Sequence, residues 1–109
     1  MVSDRAGHAV LTTTVSDREQ ANGLARMLIN QRLVACVQLM PVDSVYRWHG
    51  RLETASEILL LIKTRADLTE SVISAIKAAH PYETPEILVL PVAGGLPAYL
   101  SWIEAETQG

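Results

Sequence analysis

The 109-residue chain has one cysteine and no phenylalanine, and each shortage removes a class of function. A lone Cys36 forbids an intrachain disulfide and any chelate of the CxxC type, and it suits a reducing compartment. Without Phe, and with a net charge of −3, the sequence offers no basic, aromatic surface for nucleic acid. No apolar run nears the roughly 18 residues of a membrane span, so no membrane partner is expected. The start, MVSDRAGHAV, has neither the basic head nor the apolar core of a signal peptide. A cytosolic location and a flexible lead over residues 1–7 follow as expectations. There is no G-x-G-x-x-G and no P-loop, and Gly94-Gly95 is too short to cradle a phosphate alone. No Ser or Cys nucleophile stands beside a base motif and no carboxylate pair is evident, so a non-enzymatic role is expected.

What is present is a globular domain. Hydrophobic residues make up 49% and charged ones 19%, a balance that fits one domain over residues 1–109 rather than a disordered chain. A chain of this length buries about 65% of its unfolded surface without staples.

The domain is organised around two long arms, from Leu33 to Thr64, folded about His49-Gly50. Gly50 supplies the positive φ that a two-residue hairpin turn needs. Near the tip Leu52, Thr54 and Ser56 fall on one parity and Arg51, Glu53 and Glu57 on the other, so one face is expected to be wet. Further away Ile58-Leu59-Leu60-Leu61-Ile62 is apolar on both parities, and a strand of that kind is covered on both faces. Arms of about 14 residues far exceed the usual five or six.

Around the hairpin the remaining elements can be placed in order. His8 to Val15 reads as a first strand. Ser16 and Glu19 have capping-box form, followed by a helical stripe of Ala21, Leu24, Ala25, Leu28 and Ile29 running to Gln31 or Arg32. Pro41 in the first arm predicts a bulge or an unpaired edge. Asp67 and Glu70 mark a second helix with stripe Leu68, Val72, Ile76 and Ala79, closed by Pro81. Pro85 to Pro91 reads as a short strand. Gly94-Gly95 turns the chain, and Pro97 opens a last helix lined by Leu96, Leu100 and Ile103.

The order strand, helix, strand, strand, helix, strand predicts an α+β fold: a ferredoxin-like βαββαβ sandwich with an extra C-terminal helix and a long β2–β3 hairpin. Two helices cover one face of such a sheet, while Ile58–Ile62 and Ile87–Leu90 keep the other apolar. That patch predicts an obligate oligomer whose subunit number these patterns leave open.

Certain blocks carry a resemblance. Ala35-Cys36-Val37, Tyr46-Arg47-Trp48-His49-Gly50, Glu57 to Thr64, the HPYETPE run from His80 to Glu86, and Tyr99 to Ile103 together resemble the CutA divalent-cation-tolerance family, from about Ala9 to Glu104. The resemblance implies a homotrimer with hairpins extending sheets across subunit boundaries, and a cytosolic role in tolerance of copper and other divalent metals. Some members of that family offer copper a first-strand Cys and two adjacent His. The corresponding positions here are Thr13 and Ala79-His80, so one of three ligands remains.

His80 is accordingly the first candidate ligand for copper(II) or another divalent cation, with Cys36 and Glu83 as partners; no cofactor is required for folding. Imidazole and carboxylate both ligate borderline cations, yet His80 also serves as a helix stop before Pro81. Cys36 reads first as an inert core thiol and only second as a soft-metal ligand, although the resemblance puts it near a subunit junction with Lys63, Tyr82 and Glu83. Tyr46, Trp48 and His49, and likewise Tyr99 and Trp102, read as contact or packing residues. His8 is expected to be solvated and Asp43 to sit in a turn. The second function considered is a trimeric module, analogous in fold to the PII signalling proteins, binding a small anionic metabolite between subunits through Lys63 and Tyr82.

Overall fold

A computed structural model describes residues 7–108, so all but Gly7 of the expected lead lies outside the described residues. Four strands, β1 (His8–Val15), β2 (Cys36–Trp48), β3 (Arg51–Arg65) and β4 (Leu88–Val92), form one antiparallel sheet in the order β2-β3-β1-β4. Helices α1 (Arg18–Asn30) and α2 (Thr69–Ala79) follow β1 and β3, and α3 (Pro97–Glu106) ends the chain. That order and pairing are those of the split βαβ sandwich.

The sheet's two faces differ. Leu11, Val15, Ile58, Leu60 and Ile62 point to the helix side and close a core with Leu24 and Leu28 of α1 and Val72 and Ile76 of α2. Residues of the other parity face away from α1 and α2. There Lys63 Nζ lies 5.7 Å from the Tyr99 ring centroid and His8 Nε2 2.9 Å from Glu104 Oε2, so α3 covers one end of that face. His8 is thus half-buried and paired rather than solvated. Elsewhere on the same face Met40, Leu88 and Leu90 stay exposed.

The hairpin is as long as the sequence implied, with arms of 13 and 15 residues and Trp48 paired to Arg51 across the turn. Both turn residues have positive φ, +51° at His49 and +77° at Gly50, the pattern of the type I′ turn that matches strand twist. His tolerates this region better than most side chains. Pro41 sits in unbroken register opposite Ile58, so there is no bulge; β2 is an edge strand, where the missing donor goes unnoticed. Asp43 lies inside β2, not in a turn, and accepts from Ser56 Oγ at 3.3 Å. Near the tip both faces are open, with Val45 67% and Leu52 70% exposed on one parity and Tyr46 and Trp48 exposed on the other.

Several helix and strand limits shift from expectation for local reasons. Asp17, not Ser16, caps α1: its carboxylate accepts from Gln20 N at 2.8 Å, while Ser16 Oγ donates to the Gln20 side chain. Ile29 falls off the buried stripe and is exposed. Asp67 does not cap α2, because Arg65 claims its carboxylate at 2.6 and 3.0 Å, and a short 3₁₀ turn over Ala66–Leu68 precedes the helix instead. Ala79 is exposed, and so is Leu96, which stands before α3 at its N-cap. β4 begins at Leu88 rather than Pro85, leaving 81–87 free to cross the sheet's end.

Candidate functional site

The segment 81–87 and the hairpin's open face enclose a cleft of about 680 Å³. Strand parity decides who lines it. Thr14 of β1, Ser44, Tyr46 and Trp48 of β2 and Glu57 of β3 share the face turned from α1 and α2, and Tyr82, Glu83 and Glu86 arrive from 81–87. Three carboxylates and three aromatic rings thus meet a lining without any Lys, Arg or His.

His80 fastens this segment to the sheet. Its Nε2–H donates to the Thr14 carbonyl at 2.7 Å, and its Nδ1 accepts from the Tyr82 backbone N–H at 3.1 Å. The ring is 9% exposed and stands edge-on to Tyr82 at 4.7 Å. Both nitrogens are therefore engaged within the chain, and a metal ion would have to displace one of these hydrogen bonds.

Tyr82 in turn reaches Glu57, its hydroxyl donating to Oε2 at 2.7 Å. The expectation that Glu57 faces water is corrected here: it is 8% exposed, because the 81–87 segment lies over it. Burial pushes the Tyr82 phenol up to about 12, aided by the hydrogen bond to Glu57 and that residue's charge; a hydrogen bond with Ser16 works the other way. A raised phenol favours the neutral form in the folded state. Its stabilising effect is whole below pH 10 and is lost as pH climbs from about 10 through 12. In a phenolate absorbance titration one of the three tyrosines should ionise late, and Tyr82→Phe should remove that late phase. Three tyrosines titrating together near their ordinary value would contradict this arrangement.

The three residues expected to ligate metal are not brought together in one chain. Glu83 is exposed at the cleft and His80 lies behind it, whereas Cys36 is half-buried at the start of β2, opposite Lys63. Cys36 shares a row with Val10, and His80 touches Thr14, four residues further along β1, roughly 13 Å at strand rise. Among the described residues no group of three His, Cys, Asp or Glu side chains is arranged to hold a metal ion. Thr13, the first-strand position singled out by the resemblance, is wholly buried on the helix side, and its hydroxyl has no partner among the described residues. Lys63 stays under Tyr99, and Trp102 stacks on Tyr99 at 5.5 Å.

Glu57 and Glu86 were not foreseen as site residues. Glu86 Oε2 accepts from Thr12 Oγ1 at 2.8 Å. The signal available for Glu57 was its position: a lone carboxylate directly before a five-residue apolar run, on a strand too long to end there.

Comparison with known proteins agrees with this architecture. The profile of the family described as CutA1 divalent ion tolerance protein matches residues 9–106. This chain belongs to that family. The Arabidopsis thaliana protein named "Protein CutA, chloroplastic" is 40% identical over 100 residues, which are 91% of this chain and 55% of that protein. This chain therefore spans about half the length of that plant relative. "Divalent-cation tolerance protein CutA" from Pectobacterium atrosepticum is 44% identical over 97 residues, 88% of each chain. Among solved structures, CutA1 from Oryza sativa superposes with a TM-score of 0.91 at 38% identity, covering 96% of this chain and 97% of the other. CutA from Xylella fastidiosa also gives 0.91, at 41% identity, over 94% and 99%.

Proposed function

We propose that the chain works as a non-enzymatic, cytosolic homotrimer in divalent-cation tolerance, binding copper(II) or another divalent cation where subunits meet. The observation that carries the cation preference is the cleft lining, with Glu57, Glu83 and Glu86 and no basic side chain. Support for a trimer comes from the resemblance to CutA and from large apolar side chains exposed on the sheet face turned from α1 and α2, Met40 at the β2 edge and Leu88 and Leu90 at the β4 edge. The unpaired edge of the Arg51–Glu57 half of β3 adds to it, since β1 reaches only as far as Ile58. The name carried by relatives such as that of Pectobacterium atrosepticum, divalent-cation tolerance protein, supports the role. Because His80 has no free nitrogen, the contact is assigned to carboxylates, with Glu83 first and Cys36 of a neighbouring subunit as a softer ligand.

The anionic-metabolite reading has less support. Lys63, its chief residue, sits four positions along the sheet from the cleft under the Tyr99 ring, and an anion in the cleft would meet three carboxylates.

The test is a copper(II) titration of metal-free protein by calorimetry, with light scattering on the same sample. Saturable binding at a fixed ratio to a trimer is expected. Binding no tighter than about 0.1 mM, roughly −5.5 kcal/mol, would sink direct binding as the basis of tolerance. Thermal stabilisation by nucleotides without metal would favour the anion reading instead.

A further inference from the structure

The outer half of the β2–β3 hairpin finds no third strand in its own chain. β1 stops opposite Ile58, so Arg51–Glu57 of β3 pairs only with Val42–Trp48 of β2. A two-stranded hairpin by itself is marginally stable in water. This one keeps its register to the last pair, Trp48 with Arg51, although Val45 and Leu52 on one face and Tyr46 and Trp48 on the other are exposed. A ribbon with open edges and apolar faces is completed by another chain.

Charge identifies where that half docks. The tip carries Arg47 and Arg51, and neither enters an ion pair among the described residues. Arg47 donates to the Gly50 carbonyl beside it at 3.4 Å, which leaves Arg51 uncommitted. The other cations are placed elsewhere. Those of α1 and α2 lie in the helix layer, Arg32 holds the Ala105 carbonyl, Arg65 holds Asp67, and Lys63 lies under the Tyr99 ring. Arg51 shares the parity of Glu57, so it stands on the sheet face that bears the acidic cleft. Within one chain it cannot answer the carboxylates there. Glu57 is six residues along β3, roughly 20 Å at strand rise, and Glu86 is held at Thr12, in the row of Leu61, four residues further on.

We propose that the hairpin tip of each copy docks on the cleft of the next, with Arg51 of one paired to Glu57 and Glu86 of the other. The inference rests on the trimer reading and names the neighbour's residue that completes the cleft; exposed Glu83 is left for the divalent cation of that reading. A guanidinium forms charge-assisted, forked hydrogen bonds with carboxylates and is less strongly hydrated than an ammonium, which suits a junction that closes over it. Tip and cleft are different patches, so the contact is of the head-to-tail kind that closes into a ring.

The experiment measures exchange of labelled and unlabelled subunits in the whole protein, with light scattering for the subunit number and circular dichroism to check that each variant is folded. Arg51→Glu sets like charges together at every junction and should speed exchange about a hundredfold, while Arg51→Gln should speed it about tenfold. Glu86→Arg, at an exposed position, should act as Arg51→Glu does. Both reversals in one chain restore an opposite pair with its signs exchanged and should slow exchange about tenfold from either single variant, a rescue that a merely structural role for Arg51 would not give. Folded Arg51→Glu protein that exchanges at the wild-type rate, or a double variant no slower than the singles, overturns the inference and leaves the trimer standing. A wild type that scatters as one chain overturns the trimer reading and the inference together.

Discussion

Replacing His80 by Ala should lower the stability of the folded chain by about 3 kcal/mol and leave copper(II) affinity per folded chain unchanged. The loss has three parts. The Thr14 carbonyl and the Tyr82 N–H each lose a partner in a nearly dry place, and the edge-on contact with the Tyr82 ring disappears. Thermal or denaturant unfolding at one fixed protein concentration measures the first effect, since the proposed trimer would make the midpoint depend on concentration. The second is read by calorimetry on the fraction that remains folded. If copper(II) affinity fell tenfold while stability scarcely changed, His80 would be a ligand after all, and the hydrogen-bonded arrangement would not be the working one.

Leu88→Asp should break the proposed trimer into folded monomers. Leu88 is 59% exposed on β4, in register with Thr12, on the same face as Met40 and Leu90. In an isolated chain an Asp there stays in water and costs little. Under a neighbouring subunit it becomes an unpaired buried charge, worth several kcal/mol at every junction. Light scattering should therefore report a fall to the mass of one chain, with native-like circular dichroism retained. A variant that kept the wild-type subunit number would show that this face is not where copies meet.

How far such residues can be read from sequence depends on whether their partners lie near them in the chain. The hairpin is legible because everything that makes it is local: the apolar parity of Ile58–Ile62, the His49-Gly50 pair and the run of β-formers on both sides. β1 and the buried stripe of α1 are legible for the same reason. The caps were displaced where two neighbours compete. Ser16 and Asp17 can both cap a helix, and only the fold shows the carboxylate taking the role; Asp67 is diverted by Arg65, two residues away. The site was least legible. Parity put Glu57 on a particular face but could not say that a segment 25 residues later would lie over it. His80 carried the right chemistry for a ligand, and its use as a fastening to Thr14 depends on a contact 66 residues distant.

One consequence of the hairpin concerns how the chain folds. A slip of one residue between β2 and β3 would carry Ile58 to the cleft and send Glu57 among Leu11, Leu28 and Ile76, an error of many kcal/mol. The exposed outer arms cannot detect such a slip, since Leu52 and Val45 meet water in either register. Detection is left to the two ends. At the tip, His49 and Gly50 both require positive φ, so the wrong pair of residues in the turn is strained at once. At the base, the mistake is felt only when α1 and β1 close the core. The arms are adjacent in sequence and lose little entropy on pairing, so the turn acts first and the core later. Two positions that accept positive φ thus time the folding of the sheet, committing the strands to their register before the distant partners arrive.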